Sequence, residues 1–515
     1  MATNHYIDTR GKHAHPVSFT EALVKGLADG GGLFVPESIP HFTLSEILDL
    51  ASMPYASRAA FVYKALEPDL DESIIDELMN KAYGDRFDTE AICPITSLNE
   101  NTHVLELWHG PTSAFKDMAL QCLPHFFNAS SEKLRKEEKI DTSFLILVAT
   151  SGDTGKAALE GFRDQENIRI AVMYPDGGVS DIQYKQMATQ AGSNVMVWGV
   201  EGNFDDCQTG AKQVFNDEAF NEKLASEYHV ALSSANSINW GRLLPQVVYY
   251  LSSYAQLVSD GKLEAGQTLD VCVPTGNFGN ILAAWYAKQM GAPIGTLFCA
   301  SNENRVLTDF INSGVYDITD REFILTPSPS MDILVSSNME RQLFELTGRN
   351  SQAICEWMDD LSKNKRFEID KKTLQKLQND FASDSVDNST CLKTIKHIFQ
   401  AHHYLIDPHT AVAVKVAENL RKDNPVLIAS TAHWAKFGEN VYRALHDIEP
   451  KGALPEEVAK LSGCALNQRI ADETGVHNIP RGLAELDTKP IRFNTTIEGS
   501  VPSIEKAVKN FIEEN

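Results

Sequence analysis

The chain has 515 residues and a formal net charge of -24, with 43% hydrophobic and 23% charged residues. This length exceeds one ordinary hydrophobic core, and the composition is that of a globular protein with two or more domains. The excess of carboxylates argues against nucleic acid and anionic membrane as partners, because most of the surface would repel them.

Membrane and secretory classes are also disfavoured. No apolar run reaches membrane-spanning length, and the N-terminus has no apolar signal core. The eight cysteines are scattered without a C-x-x-C pair. This pattern indicates reduced thiols in a cytoplasm and argues against a structural zinc site. We therefore expect a cytoplasmic protein without a bound metal.

The hydrophobic pattern changes along the chain from helical to alternating strand and helix. Residues 1–95 are mainly helical, with helix candidates at 18–27, 44–50 and 72–82. Strands are predicted at 144–149, 168–174, 195–200, 269–273, 296–300 and 426–430. Helices are predicted at 118–127, from 156 onward, from the capping-box spacing at 180–183, at 204–215 and at 281–289. Such alternation predicts an α/β fold with parallel sheets covered by helices on both faces.

Four regions follow from this pattern. We predict a mainly helical N-terminal region at 1–95 and a smaller domain at 96–235 that carries Lys116. A larger domain with a phosphate loop is predicted at 236–450, followed by a C-terminal extension at 451–515. No internal repeat and no low-complexity segment interrupts this order.

Lys116 lies in an apolar, tightly turned segment at 109–117, His-Gly-Pro-Thr-Ser-Ala-Phe-Lys-Asp. The neighbouring Pro111 and Phe115 remove hydration from the ammonium and make its neutral amine more accessible. A neutral lysine amine is what Schiff-base chemistry with an aldehyde cofactor requires. Taken alone, the segment leaves a solvated lysine–aspartate pair at a helix start as the alternative.

Two Gly-rich loops follow predicted strands. The segment 150–155 reads Thr-Ser-Gly-Asp-Thr-Gly, and the segment 274–280 reads Pro-Thr-Gly-Asn-Phe-Gly-Asn. Small residues let the backbone approach phosphate or carboxylate oxygens, and the following helix adds a favourable dipole. Each loop alone is also compatible with a plain strand-to-helix turn.

Together these three segments resemble threonine synthase, a fold-type II enzyme that depends on pyridoxal 5'-phosphate (PLP). Further segments in the expected order extend the resemblance over roughly residues 6 to 445: 26–36, 236–242, 329–334, 407–411 and 430–433. The long N-terminal part is similar to the branch found in fungi and many bacteria. The resemblance implies a tryptophan synthase beta-like fold, with two parallel-sheet domains and a mainly helical N-terminal region.

The resemblance also implies residues that bind the cofactor. Lys116 would hold PLP as a Schiff base and then act as the catalytic proton carrier. The cofactor phosphate would be bound by Gly276, Asn277, Phe278, Gly279 and Asn280. Thr431 would face the pyridine nitrogen, and hydrogen bonding of this strand-end threonine to the backbone is the alternative.

A second implied set binds the substrate. Its carboxylate or amino group would lie near Ser151, Asp153 and Thr154, and its phosphate near Asn236, Ser237 and Arg242. Helix capping competes for Asp153 and Thr154, and a surface salt bridge competes for Arg242. His109 is expected to orient the turn that bears Lys116. His409 and His433 are also compatible with purely structural roles.

The implied reaction converts O-phospho-L-homoserine and water to L-threonine and phosphate, the last step of threonine biosynthesis. A PLP-dependent phospho-lyase or dehydratase on the same scaffold stays open, as does a non-catalytic ligand-binding relative. A nicotinamide-dependent oxidoreductase is disfavoured because no G-x-G-x-x-G follows a strand. The sequence does not distinguish a monomer from a homodimer.

One position departs from the family pattern. Trp434 stands where the family usually has proline. A tryptophan adds bulk and an indole N–H that needs a hydrogen-bond partner, whereas proline would stiffen the segment behind Thr431.

Overall fold

The structure, a computed structural model, describes residues 4–202 and 204–514. Residues 1–3 and 515 of the two predicted terminal regions, and residue 203 of the predicted smaller domain, lie outside the described residues. The strands are β1 Tyr6–Asp8, β2 Phe34–Pro36, β3 Ile95–Asn99, β4 Thr102–Glu106, β5 Ser143–Ala149, β6 Ile168–Pro175, β7 Val195–Glu201, β8 Val230–Ser233, β9 Leu269–Pro274, β10 Ile294–Ser301, β11 Val315–Asp317, β12 Arg366–Glu368, β13 Phe381–Ser385, β14 Val426–Ser430 and β15 Thr496–Glu498.

The helices cover both sheets and form most of the N-terminal region. They are α1 Phe19–Lys25, α2 Leu44–Asp49, α3 Tyr55–Ala65, α4 Glu72–Tyr83, α5 Lys116–Leu120, α6 Leu123–Lys136, α7 Asp153–Phe162, α8 Asp181–Ala188, α9 Phe204–Asn216, α10 Glu218–Tyr228, α11 Trp240–Ser259, α12 Gly279–Gln289, α13 Val306–Ser313, α14 Met339–Leu346, α15 Ser351–Asn364, α16 Lys371–Asp380, α17 Asn388–His402, α18 Pro408–Leu420, α19 Gly438–Leu445, α20 Glu456–Ala459, α21 Gly463–Thr474, α22 Arg481–Ala484 and α23 Val501–Glu514.

Two parallel sheets organise the molecule. The larger has the order β13-β10-β9-β14-β4-β3, parallel throughout except for the antiparallel edge pair β3–β4. The smaller has the order β15-β7-β6-β5-β8 and is parallel throughout. The predicted α/β architecture with parallel sheets is therefore confirmed.

Strand pairing runs across the predicted domain divisions. Strand β4, within the predicted smaller domain, pairs with β14 in the larger sheet. Strand β15, within the predicted C-terminal extension, pairs with β7 at the edge of the smaller sheet. The divisions after residues 95, 235 and 450 stay predictions, and the chain enters each sheet more than once.

Helix α11 lies in the core and carries part of the site. Most of its residues from Trp240 to Leu257 are buried, because the helix is apolar almost all round. Its N-terminal turn is capped by the side chain of Asn239, which accepts a hydrogen bond from Gly241 N. The helix packs against α12, which follows the second Gly-rich loop. This contact brings the first turn of α11 towards that loop.

A single continuous helix was predicted at 118–127, and this prediction is wrong. The chain forms α5 and α6 there, with a break at Gln121 and Cys122. The first helix begins at Lys116 itself, so the lysine stands on a helix N-terminus instead of on the preceding loop.

Candidate functional site

Lys116 is held in a turn that is joined to the end of strand β14. An isolated antiparallel bridge pairs Ala114 with Ala432. Phe115 N donates to Thr431 O at 2.8 Å, and His433 N donates to Ser113 O at 3.1 Å. The segment before Lys116 is therefore fixed against the residues that follow the central strand of the larger sheet.

Asp117 fixes the same turn from within. Its two carboxylate oxygens accept hydrogen bonds from the backbone N and the hydroxyl of Thr112, both at 2.8 Å. Burial raises the pKa of Asp117 to about 6, against the lowering effect of those bonds. The alternative of a solvated lysine–aspartate pair is wrong, since both side chains are buried.

The amine of Lys116 lies between two polar groups and an aromatic ring. Its Nζ donates to Ser330 Oγ at 3.2 Å and lies 3.6 Å from Asp153 Oδ2. The ring of Phe115 is 5.0 Å away. Burial lowers the pKa of Lys116 to about 8; Asp153 opposes this, and the positive charges of Lys436 and Arg242 reinforce it. A substantial neutral fraction near pH 8 suits the amine for nucleophilic and proton-transfer chemistry.

Asp153 opens helix α7 in the first Gly-rich loop, and its side chain does not cap that helix. The cap residue is Gly152, and the Thr150 hydroxyl accepts from Gly152 N at 3.0 Å and Gly155 N at 2.9 Å. The capping interpretation of Asp153 is therefore wrong. Its carboxylate is left to bind side chains from other elements.

Four such side chains surround Asp153. Its Oδ1 lies 2.9 Å from Lys436 Nζ and accepts from Gln183 Nε2 at 3.0 Å. Its Oδ2 accepts from Ser330 Oγ at 3.4 Å and faces Lys116. Burial works to raise the pKa of Asp153, but the two ammonium groups and Gln183 hold it well below its usual range. The carboxylate is thus ionised at neutral pH.

The second Gly-rich loop leads into α12 with a left-handed residue. Phe278 has a φ of 63° and directly precedes the helix. A side chain at Gly276 would bring its Cβ to 2.8 Å from the Ser330 carbonyl oxygen, so only glycine fits against the segment that contacts Lys116. Asn280 Oδ1 accepts from Tyr249 OH at 2.7 Å and Tyr250 OH at 2.5 Å.

The amide nitrogen of Asn280 is a free buried donor. Its Nδ2 has no hydrogen-bond partner among residues 4–202 and 204–514. Because both tyrosine hydroxyls donate to the oxygen, the nitrogen is the end of the side chain that faces away from them. A donor amide beside a helix N-terminus suits an anion such as phosphate.

Arg242 stands in the first turn of α11. It is 3% exposed and forms no ion pair within the described part of the chain, so the surface salt-bridge interpretation is wrong. Its Nη1 donates to Ala235 O at 2.6 Å, and its Nε has no hydrogen-bond partner there. Burial lowers the pKa of Arg242 to about 10. A buried guanidinium without a carboxylate partner suits an anionic ligand.

The remaining predicted residues lie near these groups. Thr431 is buried, and its carbonyl accepts from Phe115. Ser151 and Thr154 flank the first loop and are half-buried. Ser237 Oγ lies 3.2 Å from Ser337 Oγ, and Asn277 O accepts from Asn338 Nδ2 at 3.0 Å. Gly279 begins α12, and Asn236, just before α11, donates from its backbone N to Ser234 Oγ at 3.2 Å.

Three residues that the sequence analysis did not assign to the site complete it together with His409: Ser330, Lys436 and Gln183. His409 Nε2 accepts from Ser330 N at 3.1 Å, and its Nδ1 is bonded to Asp407 Oδ2. Ser330 lies within the segment 329–334 that carries part of the resemblance, and Lys436 lies two residues after Trp434.

The two other histidines lie beside the Lys116 turn. His109 Nδ1 lies 2.5 Å from Asp88 Oδ1, and its Nε2 lies 2.8 Å from Glu106 Oε2. Burial opposes its protonation, but these carboxylates raise the pKa of His109 to about 9. His433 Nδ1 accepts from Ala435 N at 3.1 Å, and burial lowers its pKa to about 3. His109 therefore joins the segment before the Lys116 turn to two carboxylates, and His433 fixes the backbone that follows Thr431.

The unusual Trp434 finds its partner in the C-terminal segment. Its indole N–H donates to Asn478 Oδ1 at 2.9 Å, and the ring is buried. Asn467, from the same segment, donates to Ala435 O at 2.7 Å. The C-terminal segment thus supplies the hydrogen bonds that fix the turn behind Thr431.

Within residues 4–202 and 204–514, no group of three histidine, cysteine, aspartate or glutamate side chains is arranged to hold a metal ion. None of the described helices is both long and apolar enough to cross a membrane.

Comparisons with known proteins agree with this geometry. Family models described as "Threonine synthase N terminus" and "Threonine synthase, C-terminal" match residues 5–83 and 410–474. Threonine synthase from Saccharomyces cerevisiae is 36% identical over 94% of this chain and 98% of its own length. A crystal structure of PLP-bound threonine synthase from Brucella melitensis superposes with a TM-score of 0.84 and 35% identity, covering 99% of both chains. The predicted fold class is confirmed by this match.

Other relatives are longer than this chain. Threonine synthase-like 1 from Homo sapiens is 45% identical over 83% of this chain, which spans only 58% of that relative's length. The same share holds for its relative from Macaca fascicularis.

Proposed function

This chain belongs to the threonine synthase family, and from that premise we propose that it converts O-phospho-L-homoserine and water to L-threonine and phosphate with PLP bound at Lys116. The observation that carries the proposal is the buried amine of Lys116, held between Ser330 and Asp153 beside both Gly-rich loops. Its lowered pKa suits the covalent and proton-transfer roles together.

The residues present fit the cofactor. Lys116 would hold its aldehyde carbon, and the loop at 276–280 with the free Nδ2 of Asn280 would hold its phosphate. The hydroxyl of Thr431, at the end of the central strand, would meet the ring nitrogen. When bound, PLP supplies an electron sink that stabilises negative charge at the substrate carbons.

Lys116 carries the proton transfers. Its neutral Nζ would remove the proton from the substrate α-carbon and later deliver protons to the substrate chain. Asp153 and Ser330 lie within 3.6 Å of this nitrogen and hold it in place between transfers. Because Asp153 is ionised, it also stabilises Lys116 in its protonated form after each proton has been taken up.

Arg242 is the proposed anchor of the substrate phosphate. The guanidinium is buried, lacks a carboxylate partner in the described chain and keeps Nε free. Asn236 and Ser237 lie just before the start of α11 and offer further polar groups. Ser151 and Thr154, flanking Asp153, are proposed to bind the substrate carboxylate. Since the whole chain carries a charge of -24, such local cations are needed to admit a dianionic phosphate ester.

A single assay tests the reaction. Purified protein with PLP and O-phosphohomoserine should release phosphate and threonine in equal amounts. Phosphate with 2-oxobutyrate in place of threonine would assign the chain to a phospho-lyase or dehydratase, and absence of PLP binding would assign it to a ligand-binding protein. Sedimentation of the same preparation distinguishes a monomer from a homodimer. The proposed location is the cytoplasm, supported by eight free cysteines.

The decisive variant is Lys116→Ala. We expect it to lose the violet absorbance of covalently held PLP and to reduce turnover by about 10³-fold or more, the scale typical of a lost acid–base group. Lys116→Arg is the matched control, because it keeps the charge but offers no neutral amine. It should be equally inactive. Normal turnover by either variant would refute the role of Lys116.

A further inference from the structure

A second lysine lies deeper in the site than Lys116. Lys436 follows strand β14 in the turn Trp434–Phe437 and is 0% exposed. Its Nζ lies 2.9 Å from Asp153 Oδ1 and donates to Thr112 O at 2.9 Å. A fully buried ammonium is costly unless it is paired, so this position demands a partner carboxylate.

Two ammonium groups compete for the same carboxylate. Lys436 lies 2.9 Å from one oxygen of Asp153, whereas Lys116 lies 3.6 Å from the other. The shorter contact is therefore made by Lys436, which has no role in the proposed proton transfers. Without Lys436, Asp153 would pair with Lys116 alone and hold it as an ammonium ion.

The other charged groups of the site do not replace Lys436. Arg242 faces Lys116 from α11 and makes no contact with Asp153 within hydrogen-bonding distance. Asp117 accepts from Thr112, the residue whose carbonyl also holds Lys436. Lys436 is therefore tied to the turn that carries Lys116 as well as to the carboxylate that faces it.

We propose that Lys436 is a positioning residue that neutralises Asp153, so that the amine of Lys116 stays out of a tight ion pair and available as a base. The inference rests on the proposed function of Lys116. With Lys436 paired to Asp153, the first Gly-rich loop no longer carries a net negative charge, so it does not repel a substrate carboxylate. Lys436 itself touches neither substrate nor cofactor in this scheme.

The test is the titration of Lys116 in cofactor-free protein. Trace labelling with an amine-reactive anhydride, followed by mass spectrometry of the Lys116 peptide, reports the neutral fraction at each pH. In the wild type the midpoint should lie near pH 8. In Lys436→Met the labelling rate at pH 8 should fall about fivefold, the decrease given by a pKa higher by one. An unchanged midpoint would overturn the proposal.

A second pair of variants keeps the test decisive if Lys436→Met does not fold. Asp153→Asn leaves Lys436 facing Lys116 without a carboxylate and should move the midpoint to lower pH. The double variant Asp153→Asn with Lys436→Met contains a neutral pair and should return the midpoint towards the wild-type value. Equal midpoints in these two proteins would show that Lys436 exerts no charge effect on Lys116.

Lys156→Met is the control for loss of any buried lysine. Lys156 lies on the same helix as Asp153 and pairs with Glu160 at 3.1 Å. Its loss should lower thermal stability without moving the Lys116 midpoint. A shift as large as in Lys436→Met would assign the effect to general loosening and overturn the proposal.

Failure of this inference is distinct from failure of the proposed function. If the wild type makes no threonine but the midpoints move as expected, Lys436 still controls Lys116 and the reaction is a different one. If the wild type makes threonine and Lys436→Met keeps both its midpoint and its pH–rate profile, the role of Lys436 is refuted alone.

Discussion

The two Gly-rich loops share one backbone plan and differ in charge. Each follows a parallel strand and opens a helix, β5 to α7 in the smaller sheet and β9 to α12 in the larger. In the first, the Thr150 hydroxyl accepts two loop N–H groups, and Asp153 brings a buried carboxylate that attracts cations. That loop therefore gathers ammonium groups, although the sequence pattern suggested a site for an anion.

The second loop has the opposite character. The Thr275 hydroxyl donates back to Val273 O at 2.7 Å and accepts no loop N–H from the described residues. Asn280 stands where a charged residue would be unfavourable and keeps a free amide donor. Asp153 thus attracts ammonium groups to the first loop, whereas the second loop keeps a free amide donor for an anion.

Removing the carboxylate of the first loop should have the largest effect on stability. Asp153→Asn leaves buried Lys436 without its counter-charge, and loss of one partner of a buried ion pair costs about 3–5 kcal/mol. Asp117→Asn is the control, because the carboxylate of Asp117 is bonded to neutral groups of Thr112. The midpoint of thermal unfolding should fall much further for Asp153→Asn. Similar midpoints in the two variants would show that the ion pair adds nothing.

Placing a carboxylate in the second loop should have the second-largest effect, which is a weaker binding of the cofactor. In Asn280→Asp the hydroxyls of Tyr249 and Tyr250 still donate to the side chain, so the fold should persist. Like charges at close range cost several kcal/mol, and we expect PLP affinity to fall about 100-fold. Titration of the apoprotein with PLP measures this. Tyr249→Phe, which removes a bond without adding charge, should change the affinity far less.

Exchanging the strand-end threonines should give the smallest effect and the most direct comparison. Thr150→Val deprives Gly152 and Gly155 of their acceptor and should cost about 1–2 kcal/mol. Thr275→Val removes one hydroxyl bond to a strand carbonyl and should cost about 1 kcal/mol or less. Thermal unfolding of the two proteins ranks them. Equal losses would mean that the loops are supported alike, and the reverse order would contradict the prediction.

Local pattern predicted most regular elements of the sheets. The predicted strand at 426–430 matches β14 at both ends, because its apolar run begins directly after Pro425 and gives way to the hydroxyl residues Ser430 and Thr431. The capping box at Ser180 and Gln183 correctly placed the start of α8. Helix α3 was not predicted, since its N-cap is Pro54 and no side chain caps it. Local periodicity therefore predicted an element correctly where the apolar pattern and the capping residues indicated the same boundaries.

The site was predictable only where chemistry lay within one segment. The depressed pKa of Lys116 followed from its apolar neighbours, and the structure agrees. The pairing of Asp153 with Lys436 was beyond reach, because 283 positions separate two residues that only strand order brings together. Ser330 was missed for the same reason, since its contact with Lys116 spans 214 positions.

Assembly of this site depends on the timing of synthesis. Strand β4 lies directly before the Lys116 turn, yet its partner β14 emerges about 320 residues later. At about 5–20 residues per second, a ribosome takes about 16–65 s to cover that distance. Until then the edge of β4 has no strand beside it on that side, and the lysine lacks the backbone to which its turn is joined. The reactive amine is therefore completed late, when the nascent chain has already built the smaller sheet apart from its β15 edge.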